Sequence, residues 1–105
     1  MFNFIKSLFT KEEPVNFSEL HKNGATIIDV RSPDEYSMGH IRGSKNIPLQ
    51  KLKNTINKIN RNKPVIVCCA SGARSSAAKR MLKSEGFEEV HNGGGWHYLQ
   101  AQLES

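Results

Sequence analysis

Long hydrophobic runs are missing from this chain. No stretch approaches the roughly 20 apolar residues that a membrane-spanning helix needs, so insertion into a bilayer is not expected. Cysteine is scarce too: Cys68 and Cys69 are neighbours, and neighbours in a strand point to opposite faces, which makes a disulfide framework a poor reading. The opening segment, MFNFIKSLFTKEEP, is apolar but interrupted by Asn3, Lys6 and Ser7, with no small-residue cleavage site. It makes a poor secretion signal, so a cytoplasmic location, where thiols stay reduced, is expected. Acidic residues are absent between Lys51 and Lys63, where Lys51, Lys53, Lys58, Arg61 and Lys63 supply much of the formal charge of +5. A solvated helix face explains such a run; steering of anions or an acidic partner is the sharper reading. Aromatic residues do not interleave with these charges, so a nucleic-acid partner is not expected. Metal-ligand spacings are lacking as well. His21, His91 and His97 occur with the two cysteines in no CxxC or HxxxH pattern, and no metal is expected.

What is present is enough for one domain: 105 residues can enclose a core without disulfide or metal support. No internal repeat divides the chain. Residues 1–13 read as a leader, with Phe2, Ile5, Leu8 and Phe9 at roughly helical spacing, expected to pack on the domain or on a second copy. Residues 14–105 read as the domain itself. Ser18 is a candidate cap for a short helix that Gly24 ends. TIIDV is a β-branched run between Gly24 and Pro33, a buried strand. SPDE, residues 32–35, has the capping-box pattern, with Ser32 as N-cap and Glu35 reaching back, and Gly39 stops the helix. A brief extended segment at KNIP follows. Leu49, Leu52, Ile56 and Ile59 recur at helical steps, which predicts one amphipathic helix ended by Asn62 and Pro64. VIVC is the next buried strand, and Ala77, Ala78, Met81 and Leu82 mark a helix stopped by Gly86. Val90 lies in a last strand, and Trp96 to Leu103 predict a closing helix. Strands alternating with helices imply an α/β fold, a central parallel sheet with helices on both faces. Ligands of such sheets bind at the carboxyl ends of the strands, where CASGAR and RSPDE both fall.

CASGAR is the segment with chemistry. A loop joining a strand end to a helix start can turn its N–H groups inward around an anion, and Ala70, Ser71, Gly72 and Ala73 are small enough to allow it. A cysteine at the base of the loop would lie beneath those donors. Free cysteine is only about 3% thiolate at pH 7, and lowering its pKa by about two units requires ~2.7 kcal/mol of differential stabilisation. Converging amides plus Arg74 are suited to supply it. Two frames compete. Cys68-x5-Arg74-Ser75 matches a phosphatase signature without its usual preceding histidine, since Val67 stands there; Cys69-x4-Arg74 makes a shorter, six-residue loop. A buried strand cysteine is also commonly just a small apolar side chain, the reading that suits Cys68 best.

The loop, together with IIDVRSPDEYSMGHIRGSKNIPL, resembles the rhodanese-like family, single-domain thiosulfate sulfurtransferases. The resemblance runs through Asp29, Val30, Arg31, Glu35, Tyr36, Gly39, His40, Ile41, Gly43, Asn46, Ile47 and Pro48, the loop from Cys69 to Arg74, and the terminal VHNGGGWHYL. It covers residues 15–103. It implies a three-layer rhodanese-like domain and selects Cys69, because the family's active loop begins three residues before its glycine and five before its arginine. It implies that Cys69 takes sulfur from thiosulfate or another small anionic donor, carries it as a persulfide, and passes it to a thiol, free or on a protein, or to cyanide. Cys69 and Arg74 would be the catalytic pair, and Ala70, Ser71, Gly72, Ala73 and Ser75 the binding loop, with no cofactor and a monomeric or weakly dimeric protein. Asp29, Arg31 and Glu35 are expected to brace the neighbouring loop through charge-assisted hydrogen bonds, and His40 to brace its turn. Two alternatives stay open: a thiol phosphatase or arsenate reductase on the same scaffold, and a sulfur-relay module serving a partner.

Overall fold

The computed structural model describes residues 14–104, so the leader expected over residues 1–13 lies outside the described residues. The chain runs α1 (Phe17–Lys22), β1 (Thr26–Asp29), α2 (Pro33–Ser37), β2 (Lys45–Asn46), α3 (Leu49–Leu52), a 3₁₀ segment (Lys53–Lys58), β3 (Val65–Cys69), α4 (Ala73–Ser84), β4 (Val90–Gly95) and α5 (Trp96–Leu103). The four strands are parallel, in the order β2-β1-β3-β4.

Strand alternation divides the core in two. Ile28, Val30, Val65, Val67 and Cys69 face one way, packed with Leu52, Ile56, Ile59, Ala78 and Leu82 from α3, the 3₁₀ segment and its end, and α4. Ile27, Ile66 and Cys68 face the other way, against Leu99 of α5 and Phe17 and Leu20 of α1. The result is helix, sheet and helix, the three-layer α/β arrangement expected. Every residue of β3 is buried, as both faces of a central parallel strand should be.

Two local expectations are corrected. Asn16, not Ser18, caps α1: its side chain accepts the Glu19 N–H at 3.0 Å. The helix expected from Leu49 to Ile59 is one α-helical turn followed by a 3₁₀ segment, with Ile59 already extended. Asn54, Thr55 and Asn57, all within the 3₁₀ segment, are weak helix formers. The capping box of α2 forms as expected, with Glu35 N–H donating to Ser32 Oγ and Ser32 N–H donating to Glu35 Oε1.

Candidate active site

At the carboxyl end of β3 the two thiols separate. Cys68 lies in the α1/α5 side of the core, and its burial and the neighbouring Asp29 carboxylate push its pKa up to about 12. At ordinary pH it therefore stays a neutral thiol. Cys69 points to the other face, beneath the loop. Its Sγ receives the Gly72 N–H at 3.0 Å and the Ser75 N–H at 3.3 Å, and lies 3.4 Å from Ser75 Oγ. Burial, the largest single influence, pushes the Cys69 pKa up. Hydrogen bonds from the Ser75 hydroxyl and from the N–H groups of Ser75, Gly72 and Ser71 outweigh it, so the net shift is downward. The loop therefore favours thiolate by pointing donors at sulfur.

The backbone explains why the loop takes this form. Gly72 has φ +107° and is the N-cap of α4; a side chain there would be strained. Its left-handed turn aims the Gly72 N–H back at the sulfur while α4 starts at Ala73. On the other side β4 comes very close: a Cβ built on Gly95 would lie 2.9 Å from the Ala70 carbonyl oxygen. Cys69 itself is only 1% exposed, whereas Ala70, Ser71 and Ala73 above it are open to solvent.

Arg74 does not reach over the sulfur. It makes two parallel hydrogen bonds to the Glu35 carboxylate, Nη1 to Oε1 at 2.7 Å and Nη2 to Oε2 at 2.9 Å. Glu35 thus serves Arg74 and its own capping box together. Of the supporting residues, Asp29 and Arg31 do pair with each other. The Arg31 side chain and N–H converge on the Asp29 carboxylate, with the shortest contact 2.7 Å, and Nη2 also donates to the Gly39 carbonyl at 2.8 Å. Both are buried, and the Arg31 guanidinium lies over the Trp96 ring, 4.7 Å from its centroid. Glu35 meets Arg31 through its carbonyl, at 3.3 Å, rather than through its carboxylate. Asn46 Nδ2 donates to the carbonyls of Asp29 and Arg31, tying β2 to the same corner. His40 stacks on Tyr36 with its Nδ1 2.7 Å from the Tyr36 carbonyl oxygen, a turn-bracing arrangement.

One residue of the site was not expected from sequence. Asn92 Oδ1 lies 2.6 Å from Ser75 Oγ and accepts the Gly94 N–H at 2.9 Å. It stands just before a register shift between β3 and β4, where Val67 pairs with Asn92 and Cys68 with Gly94. Only the bulge-prone run of glycines after it hinted at a special position.

Known proteins resemble this chain in family and in fold. The model of the rhodanese-like domain matches residues 14–102. The protein YqhL of Bacillus subtilis is 44% identical over 68 residues, which are 65% of this chain and 54% of YqhL. This chain therefore aligns with only about half the length of that relative. GlpE of Ectopseudomonas mendocina, named a thiosulfate sulfurtransferase, is 34% identical over 94% of this chain and 92% of its own. A solved rhodanese with anions from E. coli superposes with a TM-score of 0.67 at 36% identity, covering 71% of this chain and 91% of that one. With the parallel sheet, the loop at its carboxyl edge and the matched span taken together, the chain belongs to the rhodanese-like domain family.

Proposed function

We propose that the chain is a sulfurtransferase that uses Cys69 as its nucleophile and carries sulfur as a Cys69 persulfide. The observation that carries this reading is the pair of N–H groups directed at Cys69 Sγ, one from Gly72 in the six-residue loop Cys69–Arg74 and one from Ser75 immediately after it. With thiosulfate as donor, the Cys69 thiolate attacks the outer sulfur. A sulfur–sulfur bond forms to Cys69 as the bond to the sulfonate sulfur breaks, and sulfite leaves with its electron pair. The persulfide's terminal sulfur keeps one negative charge and lies among the loop amides. An acceptor thiolate then attacks that sulfur, forming its own persulfide and returning Cys69 as thiolate. Charge and electrons balance in both half-reactions, and neither needs a metal or organic cofactor. Arg74, fixed by Glu35, braces the loop and adds positive potential at the start of α4.

Sulfur is favoured over phosphorus by the same geometry. A tetrahedral phosphoryl or arsenate group needs a wider cradle and a guanidinium free to clamp its oxygens, whereas Arg74 is engaged with Glu35. The test is to incubate the protein in parallel with thiosulfate and with a phosphoester, following sulfite and phosphate. Sulfite release with one sulfur added to Cys69 is expected. Phosphate release without sulfite would overturn the reading. Sulfur uptake with no transfer to small thiols or cyanide would instead favour the relay module.

A further inference from the structure

The Ser75 hydroxyl is fully buried and has one proton for three neighbouring acceptors: Asn92 Oδ1 at 2.6 Å, the Gly72 carbonyl at 3.1 Å and Cys69 Sγ at 3.4 Å. Asn92 cannot turn its amide over to donate instead, because its Oδ1 also accepts the Gly94 N–H at 2.9 Å; the opposite orientation would set N–H against N–H. The shortest contact therefore draws the hydroxyl proton to Asn92 and leaves the Ser75 oxygen facing Cys69 as an acceptor, which suits a thiol. A thiolate needs the opposite, a donor.

We propose that Asn92 is a positioning residue that holds the Ser75 hydroxyl as an acceptor while Cys69 Sγ is uncharged and yields it as a donor when Cys69 becomes a thiolate. The hydroxyl rotor has two satisfied positions, since the Gly94 N–H keeps Asn92 Oδ1 paired when the proton turns away. No bond is made or broken; one hydrogen bond changes partner. In the persulfide the negative charge moves to the outer sulfur, Sγ is again uncharged, and the hydroxyl returns to Asn92. Asn92 thereby opposes the free thiolate relative to both thiol and persulfide, which moderates the reactivity that the loop amides create. The proposal rests on Cys69 being the reacting thiol.

The other groups around Cys69 do not supply this behaviour. Arg74 of α4 interacts with Cys69 through its charge and is held by Glu35 of α2. On its own strand Cys68 is neutral and faces away. From β1 the Asp29–Arg31 pair acts on Cys68. On β4, His91 is bound to Glu89 and sits level with Ile66, three residues before Cys69.

The test is the pH profile of Cys69 alkylation by iodoacetamide, read on the Cys69 peptide by mass. Asn92→Ala should lower the midpoint by about half a unit, roughly a threefold gain in thiolate below it. Asn92→Asp, which keeps the acceptor and adds a charge, should raise it. Ser75→Ala should raise it, and Ser75→Ala with Asn92→Ala should match Ser75→Ala alone, because Asn92 acts through the hydroxyl. General damage to the loop would move both Asn92 variants the same way. That result, an unmoved midpoint in Asn92→Ala, or an Asn92→Ala shift that persists without Ser75 would overturn the proposal. If Asn92→Ala does not fold, Asn92→Asp made with and without Ser75→Ala decides: an upward shift that is larger while the Ser75 hydroxyl is present supports the proposal, and an equal shift, the mark of charge or of loop damage alone, overturns it. Sulfite release is scored separately: a parent that alkylates at Cys69 but never releases sulfite refutes the proposed function and leaves the rotor to be judged by its own profile.

Discussion

A change of one position along β3 moves a thiol from beneath the loop amides to the opposite side of the sheet. Cys69→Ser should abolish sulfur uptake, because a serine hydroxyl is scarcely ionised near neutral pH. Cys68→Ser should retain most of it, with some stability lost by placing a hydroxyl in an apolar strand. Intact mass after thiosulfate treatment checks this: one added sulfur on the parent and on Cys68→Ser, none on Cys69→Ser; the reverse pattern would reassign the nucleophile. Cys68 also carries a pH signature. Its pKa is raised in the fold from an ordinary 9.0 to about 12, first by burial and then by Asp29. The unfolded chain therefore loses this proton first as pH rises. Stability from the neutral thiol is whole below about 9 and drains away toward 12. Cys68→Ala should flatten that alkaline decline in urea unfolding measured across the window. An equally steep decline in the variant would place its origin elsewhere.

The elements that build the site depend on a few local rules, and those rules were unevenly legible. Ser32-x-x-Glu35 reads as a capping box, and it is one; Asn16-x-x-Glu19 is the same kind of signal, and its asparagine, rather than Ser18, is the cap. The helix expected over 49–59 failed because apolar spacing alone does not weigh Asn and Thr propensity against the pattern. Contacts between distant elements were less visible. Glu35 and Arg74 are 39 positions apart, and Ser75 and Asn92 are 17 apart, so no local pattern couples them. At the loop, Gly72→Ala is a test of backbone alone: the new Cβ would meet Gly94 Cα at an ordinary 3.7 Å, but φ is +107°. It should cost roughly 1–2 kcal/mol in thermal or urea unfolding and lower the persulfide yield by swinging an N–H off the sulfur. Unaltered yield would remove that amide from the mechanism. Between α2 and α4, Arg74 first, then the Ser32 N–H, hold Glu35 down from 4.5 to about 2. A depressed carboxylate stabilises the fold above about 4.5 and ceases to as pH falls toward 2. The pair is more than a third exposed, so its contribution is screened to about 1 kcal/mol or less. Glu35→Gln should make acid unfolding shallower within that window, and an unchanged acid limb would show the pair to be energetically idle.

Across the whole molecule the charge is lopsided, at +5. Among the described residues, Asp29, Glu35 and Glu89 are engaged with Arg31, Arg74 and His91. Lys51, Lys53, Lys58 and Lys63 are exposed and form no ion pair there. Two fields then act on an approaching anion. Loop amides and the start of α4 act within a few ångströms of Cys69 and are little affected by salt, whereas the surface lysines act over longer distances and are screened once the Debye length falls below about 10 Å. An anionic and a neutral reagent of similar size separate the two. Iodoacetate should modify Cys69 severalfold more slowly as salt rises from ~0.01 M to ~1 M, while iodoacetamide should change little. Sulfite release at subsaturating thiosulfate should follow iodoacetate, since a divalent anion responds at least as strongly to the same field. If both reagents respond alike, the lysine run is only a solvated surface, and the affinity of the site for anions resides wholly in the loop from Cys69 to Ser75.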